Sequence, residues 1–553
     1  MGNAAVVSRD GTLIAFVAQP QGGAPRLYFR RLDQLTATPL LGTEGAVGPF
    51  FSPDGQWLGF FASGTLRKIA VTGGAPVTLA SAPLPRGGSW AEDGTIVFAP
   101  TISDGLWRVS SAAAGETAER LTTLAEGEST HRWPQVLPGS RAVLYTVTDV
   151  QGNFTNAWIA VQPLPTGPSH VVQPGGYYGR YLPSGHLTWA HDGTFFAAPF
   201  DLTTLVVTRP AVPVVTDVMS RVTAGNAQAD VSDTGTLVYL PGGESESAAR
   251  LEWLTRDGTT MPLRATPENW AGVHIDPHGR QIAFAVTNAG KTDVWTYDWA
   301  RGASTLLPSD SSVKRNPVWT PDARRLVYSS TGSGGALNLW WQPADGSGHA
   351  TQMTTSPNTQ VTGSWHPNGR VLAFQESRPG TNVDLMTLRI DGDEASGWQI
   401  GTPAVFLEGP STEQQPRFSP DGRWLAYESN ESGRFEISVK PYPGPGGKTT
   451  ISTGGGTDAV WSRARNELLY LAPDGRIMFV PFAAAGDDFR PEKPRIWSER
   501  PVQLRPGTGG SFDLDPDGTR VVMSSATAAT AGPTHVTLWF NFFDELRRLA
   551  PVK

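Results

Sequence analysis

The chain has 553 residues, of which 17% are charged, and a formal net charge of −7 at pH 7. No basic block or stripe occurs, so nucleic-acid binding is not expected. The absence of cysteine excludes disulfides and thiol chemistry, and no apolar run is long enough to predict a membrane-spanning helix. The length exceeds that of one ordinary domain.

A short hairpin pattern recurs along the chain, and residues 418–427 show it most clearly. Pro420 presets φ for the first central position of a tight turn, Asp421 can accept hydrogen bonds from the turn backbone, and Gly422 tolerates positive φ. Apolar residues alternate on both sides of the turn, as they do in half-buried strands. The pattern therefore predicts a strand, a turn and a second strand.

Twelve such turns occur, and an apolar residue precedes each of them. They begin at Ser8, Ser52, Ala91, Leu137, Leu182, Ser232, Asp276, Thr320, His366, Ser419, Ser462 and Asp515. An aromatic residue follows the turn in eleven of the twelve. A period of about 40 to 50 residues with four short strands is typical of β-propeller blades, whose facing surfaces are filled by large apolar side chains.

The sequence also predicts individual strands in the first and sixth blades and near the C-terminus. The first blade is predicted to contain residues 3–8, Leu13–Ala18, Arg26–Leu32 and Thr38–Leu41. The sixth is predicted to contain Val231, Leu237–Leu240, Leu251–Leu254 and Met261–Arg264, followed by a linker at 265–268. Near the C-terminus, Val536–Phe543 is a predicted closing strand, and Asp544–Ala550 is either a short capping helix or a frayed tail.

The set of hairpins is itself duplicated. Corresponding turns in the two halves are 268 to 283 residues apart, and the fifth and eleventh units are followed by similar outer segments at 193–200 and 475–482. We therefore expect an all-β chain of two tandem six-bladed β-propellers with four-stranded antiparallel blades. Residues 1–266 would form the N-terminal propeller, and 267–553 the C-terminal propeller with a short helix. A single larger ring is the alternative, although rings usually have four to eight blades.

The hairpins resemble the PD40 (WD40-like) repeats of TolB-like propellers. Three stretches, at 128–134, 418–434 and 538–546, stand in an order that resembles the C-terminal region of bacterial serine/threonine protein kinases. The resemblance implies a sensor or scaffold region outside the cytoplasm, in the periplasm or at the cell surface. A kinase domain and one transmembrane tether would precede it, and we expect the sequence to be cut from such a longer protein. The chain itself has no kinase motif.

No catalytic residue is predicted. Residues 87–91 come closest to a Gly-x-Ser-x-Gly nucleophile elbow, but Ala91 replaces the final glycine. The nine histidines are scattered, and pairs such as His274 with Asp276 do not make a metal site alone. We therefore expect no cofactor, with a divalent metal in a funnel as the open alternative.

Position within the repeat gives better site candidates. In a propeller, the loop that leads into each inner strand opens onto a central funnel, where six loops gather residues from distant parts of the chain. The polar residues of these loops are Glu44, Arg86, Glu128, His131, Arg132 and Arg180 in the first ring, and Arg315, Asn316, Glu413, Gln414 and Asp458 in the second. They would bind a protein, a peptide or a small polar ligand, or would simply hold strand ends and channel water. His131 with Glu128 and Arg132 is the densest group.

Three hypotheses follow from these observations. The first is a non-catalytic, ligand- or protein-binding double propeller that serves as the extracytoplasmic sensor or scaffold region of a receptor-like serine/threonine kinase. The second is a TolB-like periplasmic accessory protein in envelope assembly. The third is a metal-dependent propeller enzyme, such as a lyase or a lactonase.

Overall fold

In the computed structural model the chain divides into two compact units. Unit 1 comprises Met1–Ser245 and Gly532–Lys553, and unit 2 comprises Glu246–Ala531. The structure describes residues 4–19, 25–112, 117–149, 154–242, 249–268, 270–288, 291–308, 312–332, 335–378, 381–486, 488–502, 510–526 and 535–552. Unit 2 is thus inserted into the sequence of unit 1 near its C-terminal end.

Short strands make up nearly all of the regular structure. Before the insertion they are β1 (Ala5–Val7), β2 (Leu13–Ala18), β3 (Arg26–Arg31), β4 (Thr38–Pro39), β5 (Val47–Phe51), β6 (Trp57–Ala62), β7 (Thr65–Ala70), β8 (Val77–Ser81), β9 (Gly88–Trp90), β10 (Thr95–Phe98), β11 (Trp107–Ser110), β12 (Glu119–Arg120), β13 (Thr130–Val136), β14 (Ala142–Thr148), β15 (Trp158–Pro163), β16 (His170–Pro174), β17 (Tyr177–Leu182), β18 (His186–His191), β19 (Thr194–Asp201), β20 (Val206–Val207), β21 (Val212–Val215), β22 (Ser220–Arg221), β23 (Asn226–Ala227), β24 (Ala229–Val231) and β25 (Leu237–Tyr239).

The strands of unit 2 are β26 (Ala249–Thr255), β27 (Thr260–Glu268), β28 (Trp270–Ile275), β29 (Gln281–Asn288), β30 (Lys291–Asp298), β31 (Ala303–Leu306), β32 (Lys314–Trp319), β33 (Arg325–Ser330), β34 (Asn338–Pro343), β35 (Thr351–Gln352), β36 (Gln360–Trp365), β37 (Val371–Arg378), β38 (Asn382–Asp393), β39 (Gly397–Ile400), β40 (Ala404–Leu407), β41 (Glu413–Phe418), β42 (Trp424–Ser429), β43 (Glu436–Pro441), β44 (Thr449–Thr450), β45 (Thr457–Trp461), β46 (Glu467–Leu471), β47 (Ile477–Ala485), β48 (Asp488–Pro491), β49 (Arg495–Ile496), β50 (Phe512–Leu514) and β51 (Arg520–Ala526). The chain then returns to unit 1 with β52 (Thr537–Trp539) and α1 (Phe542–Leu549).

In each unit, five antiparallel sheets are formed by strands that follow one another along the chain. In unit 1 these are β1–β4, β5–β8, β9–β12, β13–β16 and β17–β20 with β21 added on β19; in unit 2 they are β28–β31, β32–β35, β36–β39 with β40 on β38, β41–β44 and β45–β48 with β49 on β47. The sixth sheet of unit 1 has the order β24-β25-β52, and that of unit 2 the order β27-β26-β51-β50. A small hairpin, β22–β23, completes unit 1.

The sheets of each unit form a closed circle. In unit 2 the first strand of each sheet contacts that of the next, and β28 contacts β50. In unit 1 the same order runs from β1 to β17, and contacts of β17 with β23 and of β1 with β24 complete it. Small antiparallel sheets around a common centre are the architecture of a β-propeller. The predicted all-β propeller class is therefore confirmed.

Each circle closes through strands that are far apart in sequence. β52 pairs with β25, so that Leu237 lies opposite Trp539, and β26 pairs with the whole of β51. The sixth sheet is also tied to the first by a carboxylate. Asp230 Oδ2 accepts a hydrogen bond from Val7 N at 2.9 Å, and Asp513 Oδ2 accepts the equivalent bond from Ile275 N at 2.8 Å.

The predicted boundary between residues 266 and 267 differs from this division. Strands β26 and β27, assigned from the sequence to the first ring and its linker, belong to the last sheet of unit 2. The predicted closing strand at 536–543 does supply β52, but this strand completes unit 1 rather than the second ring. The twelve hairpins resemble one another, so their period did not show which outer strands complete which sheet.

The predicted turns and core positions form as expected. At the turn of residues 419–422, Ser419 N donates to Trp424 O and Gly422 N donates to Ser419 O, both at 2.9 Å. Asp421 Oδ1 accepts the backbone N–H of Arg423 at 3.1 Å. The aromatic residues that follow the turns, such as Tyr145, Phe284 and Tyr328, are buried between neighbouring sheets.

The helix predicted near the C-terminus is also present. It starts slightly earlier than expected, and Phe542, Phe543 and Leu546 of α1 are buried in the core of unit 1. In the part of the chain that the structure describes, no helix has the length and apolar character needed to cross a bilayer.

Candidate ligand-binding site

The strands at the centre of each unit are interrupted by a repeated irregularity. The first strands of eight sheets have a β-bulge, between Val47 and Phe50, Arg132 and Gln135, Tyr177 and Arg180, Ala271 and His274, Arg315 and Val318, Thr362 and Ser364, Gln414 and Arg417, and Thr457 and Val460. A bulge leaves one residue unpaired and re-aims the side chains beside it. Six of the predicted site residues, Arg132, Arg180, Arg315, Asn316, Gln414 and Asp458, lie in or next to these bulges.

The densest predicted group, around His131 in unit 1, is buried and internally bonded. His131 Nδ1 lies 2.7 Å from Thr122 Oγ1, and its Nε2 lies 2.9 Å from Glu128 Oε2. Burial raises the pKa of Glu128, but the hydrogen bonds from His131 and Ala125 N outweigh it, so that the pKa is lowered overall. A ligand that used His131 or Glu128 would therefore have to replace existing contacts.

Arg132 is buried beside this group and donates to neutral oxygens. Its Nη2 bonds Ile102 O at 2.9 Å, and its guanidinium lies over the Phe154 ring at 4.7 Å. Burial, and secondly the charge of Arg86, lower the pKa of Arg132. Arg86 and Arg132 therefore lie close enough to act on each other electrostatically.

The other predicted residues of unit 1 are placed less uniformly. Arg86 Nη1 donates to Pro85 O at 2.8 Å, and burial lowers the pKa of Arg86 to about 10. Arg180 Nη1 donates to Trp133 O at 2.9 Å. Glu44 is exposed, and its Oε1 lies 4.0 Å from Arg26 Nη1.

In unit 2, two predicted residues bond a third residue that the sequence did not single out for a site. Gln414 Nε2 donates to Glu428 Oε2 at 2.7 Å, and Asp458 N donates to Glu428 Oε1 at 2.6 Å. Burial, and secondly the charge of Asp458, raise the pKa of Glu428 to about 8. Asp458 also accepts Gly510 N at 3.0 Å, so these side chains join the fourth, fifth and sixth sheets.

The remaining predicted residues of unit 2 are Glu413, which precedes Gln414 in the sequence, and Arg315 and Asn316, which lie at the bulge of β32. Burial raises the pKa of Glu413 to about 7, and Ser429 Oγ donates to its Oε1 at 3.1 Å. Burial lowers the pKa of Arg315 to about 10. Asn316 O accepts the hydroxyl of Thr362 on the next sheet.

The raised pKa of Glu428 predicts a pH effect. Because the folded pKa, about 8, exceeds the usual 4.5, the native state binds the extra proton between these values, so stability falls as pH rises through this window. We expect Glu428→Gln to raise the free energy of unfolding of unit 2 at pH 8.5 by roughly 1–3 kcal/mol, and to change it little at pH 5. Urea unfolding at both pH values measures this. Glu431→Gln, at an exposed neighbour, is the control, and an equal effect of Glu428→Gln at both pH values would contradict the assignment.

A cavity of about 410 Å³ lies on the axis of unit 2. We call it the axial cavity, because each of the six sheets contributes to its lining. One residue from each sheet, in order, is His274, Trp319, Trp365, Arg417, Trp461 and Asp513. A concave site of this size with a few convergent polar groups is the usual form of a small-ligand site.

The polar side of the axial cavity is built around His274. Its Nδ1 and Nε2 lie 3.4 Å from Arg417 Nη1 and Nη2 respectively, and its Nδ1 lies 3.9 Å from Asp513 Oδ2. Burial, and secondly the charge of Arg417, lower the pKa of His274, so the ring is neutral at pH 7. Burial raises the pKa of Asp513, but the contact with His274 and the charges of Arg463 and Arg417 outweigh it and lower the pKa overall.

The aromatic side of the axial cavity is held in place by the backbone. Trp319 Nε1 donates to His274 O at 3.0 Å, and Trp461 Nε1 donates to Arg417 O at 2.9 Å. Each of these bonds joins the inner strands of two adjacent sheets, so both indoles are fixed in position. Trp365 Nε1 is buried and has no acceptor among the residues that the structure describes.

The sequence analysis did not place His274, Arg417 or Asp513 in a ligand site, and it considered His274 only as a metal ligand, although the three residues share a position. His274, Arg417 and Asp513 each come directly before the apolar residue that precedes a turn. The prediction concerned the loops that lead into the inner strands, whereas these residues lie near the other end of the same strands. Reading that one position in all twelve repeats would have found them, together with Ser89, Gln135, Arg180, Asp230 and Ser364.

Other parts of the molecule offer weaker candidate sites. A larger cavity of about 910 Å³ in unit 1 lies beside the first and sixth sheets, and apolar side chains such as Leu32, Leu35, Leu538 and Phe540 form much of its lining. Across the described ranges, no group of three histidine or acidic side chains is placed to hold a metal ion. The axial cavity therefore remains the stronger candidate site.

Together, the closed circles of sheets and the polar axial cavity define a β-propeller protein. No family model matches the chain. It is 24% identical over 225 residues to the uncharacterized peptidase YuxL of Bacillus subtilis, which covers 34% of this chain and 33% of that protein. It is 29% identical over 188 residues to tricorn protease homolog 1 of Streptomyces coelicolor, covering 32% of this chain and 16% of that protein.

Proteins named TolB also show similarity. The Tol-Pal system protein TolB of Anaeromyxobacter dehalogenans is 29% identical over 89 residues, covering 16% of this chain and 20% of that protein. Of the solved structures, a putative TolB from Agrobacterium tumefaciens aligns with 51% of this chain and 98% of its own, with a TM-score of 0.40 and 16% identity. The chain spans about a third of YuxL and less of the tricorn homologue, and its fold assignment rests on its own sheets.

Proposed function

We propose that this chain is a non-catalytic binding module and that unit 2 holds a ligand in its axial cavity. The observation that carries the proposal is the convergence of all six sheets on one cavity, where His274, Arg417 and Asp513 face three tryptophans. Binding sites in propellers gather residues of distant sequence in this way. Because the indoles at 319 and 461 are fixed by hydrogen bonds, the site is preorganised and loses little freedom on binding.

The finer parts of the proposal concern the partner and the setting. We propose a protein or peptide ligand, and a sensor or scaffold role outside the cytoplasm as part of a receptor-like serine/threonine kinase. The order of the three stretches at 128–134, 418–434 and 538–546 supports the kinase association. The coding sequence upstream of Met1 tests it, since a kinase domain followed by one membrane-spanning segment is expected there.

A TolB-like accessory role in the cell envelope is the second proposal. The local similarity to the Tol-Pal system protein TolB favours it. Under this proposal, immobilised full chain would capture envelope proteins from detergent extracts, and the gene would encode no kinase upstream.

Binding in the axial cavity can be tested without a known ligand. Random-peptide phage are panned on the full chain, and the enriched peptides are synthesised and titrated. We expect them to bind in the micromolar range and to lose tenfold or more in affinity with Arg417→Ala, because this removes a charged donor from the cavity.

Gln135→Ala is the matched control, since Gln135 occupies the same repeat position in unit 1 and exchanges two hydrogen bonds with the Tyr181 backbone. It should leave the affinity unchanged. Failure to enrich any peptide, or enriched peptides whose affinity does not depend on Arg417, would count against the proposed site.

A further inference from the structure

Arg417 is the least satisfied charged group in the axial cavity. Its nearest polar neighbours are Gly363 O and the two ring nitrogens of His274, all at 3.4 Å, which is long for a hydrogen bond, and only one of the two nitrogens of a neutral imidazole can accept. Within the described ranges its guanidinium forms no ion pair with a carboxylate, although Asp513, Asp458 and Glu428 act on it electrostatically. Buried cations are normally paired with an anion, because leaving them unpaired away from water is costly.

Asp513, the acid that acts most strongly on Arg417, does not pair with it directly. Asp513 Oδ2 accepts the N–H of Ile275 at 2.8 Å, and its Oδ1 accepts that of Leu514 at 2.9 Å. Both oxygens are thus committed to backbone donors, one of them across the junction of the first and sixth sheets. His274 lies between Asp513 and Arg417, so the carboxylate of Asp513 does not contact the guanidinium directly.

A second unused donor belongs to a residue that lines the same cavity. Trp365 Nε1 is buried without an acceptor in the described part of the chain, whereas the indole N–H groups of Trp319 and Trp461 are both bonded. A ligand that carries an oxyanion next to an apolar group could pair with Arg417 and pack against the tryptophans of the cavity.

We propose that the axial cavity binds a peptide through a carboxylate that Arg417 holds, with a neighbouring apolar residue of the peptide against Trp319, Trp365 and Trp461. The inference rests on the proposed binding role of this cavity. The carboxylate is either the C-terminus of the peptide or an Asp or Glu side chain. A volume of about 410 Å³ has room for the end of a peptide or one short segment of it. An uncharged oligosaccharide would suit the tryptophans but would leave Arg417 without an anion.

The test compares three synthetic peptides by isothermal titration against the full chain. They are N-acetyl-Ala-Phe as the free acid, the same dipeptide as its amide, and N-acetyl-Ala-Phe-Glu as its amide. We expect at least one acidic peptide to bind roughly tenfold to a hundredfold more tightly than the neutral amide, as a charge-assisted hydrogen bond provides. A preference for the free acid identifies a C-terminus, and a preference for the glutamyl amide identifies a side chain.

Three variants separate the inference from the proposed function. In Arg417→Gln the preference for acidic peptides should vanish, whereas Gln135→Ala in unit 1 should keep it. Acid and amide binding equally, with both weakened by Trp365→Ala, would overturn the carboxylate but leave the binding role intact. The inference also fails if neither acid binds more tightly than the amide, or if maltohexaose binds and the peptides do not. Circular dichroism of each variant confirms that it is folded.

Discussion

Replacing Phe542 by alanine is expected to lower the free energy of unfolding of unit 1 by about 3–5 kcal/mol, the usual cost of removing a buried phenylalanine ring. The side chain is fully buried in the core cluster that includes Tyr177 and Phe195, and its ring centroid lies 5.5 Å from that of Trp539. Its backbone N–H also bonds Gly235 O at 2.8 Å. Residues that follow unit 2 in the sequence therefore stabilise sheets whose strands precede unit 2.

The measurement is denaturant unfolding with hydrogen exchange read separately for each unit. The exposed fraction of Phe540 is 59%, so Phe540→Ala two residues earlier is the control and should change stability by less than about 0.5 kcal/mol. Loss of protection confined to Met1–Ser245 and the C-terminal segment is expected. Loss confined to unit 2 would show that the division into units is wrong.

Trp270→Ala is expected to lower the stability of unit 2 by a similar amount, about 3–5 kcal/mol. The indole is fully buried, and its ring meets that of Phe284 edge-to-face with centroids 4.7 Å apart. Its Nε1 donates to Ala249 O at 2.9 Å, so that it joins the first sheet to β26 of the sixth. The substitution removes both a large apolar volume and a bond that closes the circle.

Trp270→Phe serves as the graded control, because it keeps much of the apolar volume and loses the hydrogen bond. Its expected cost is smaller, about 1–2 kcal/mol. Urea unfolding of the two variants gives the comparison, with exchange protection assigned to each unit. If the phenylalanine variant were as unstable as the alanine variant, the hydrogen bond rather than the ring would dominate.

The parts of the fold that were predictable from sequence are those encoded locally. Turn residues such as Pro420, Asp421 and Gly422 determine their own backbone geometry, and the aromatic residue after each turn marks a buried strand. The pairing of β52 with β25, or of β26 with β51, leaves no local mark. These strands are completed by partners about 300 residues away, and any apolar alternating segment would fit either sheet.

The candidate site was predictable only in part, for a related reason. Polar loop residues such as Gln414 and Asp458 were found because they precede the inner strands, and the structure does bring them together. Glu428 lies on the second strand of its sheet and was not suspected, since burial rather than sequence position raises its pKa. The contact between His274 and Arg417 depends on the closure of the circle of sheets in unit 2, which no single repeat specifies.

The insertion of unit 2 has a consequence during protein synthesis. When the ribosome has completed Ser245, the nascent first propeller still lacks β52 and α1, which are encoded after the whole of unit 2. At typical elongation rates of about 5–20 residues per second, the gap lasts roughly 15–60 seconds. Throughout that interval the edge of β25 is unpaired, and the part of the core that binds α1 is uncovered. Chaperones should therefore bind mainly to this half of the nascent polypeptide, and prematurely terminated chains should contain this half in an incomplete form.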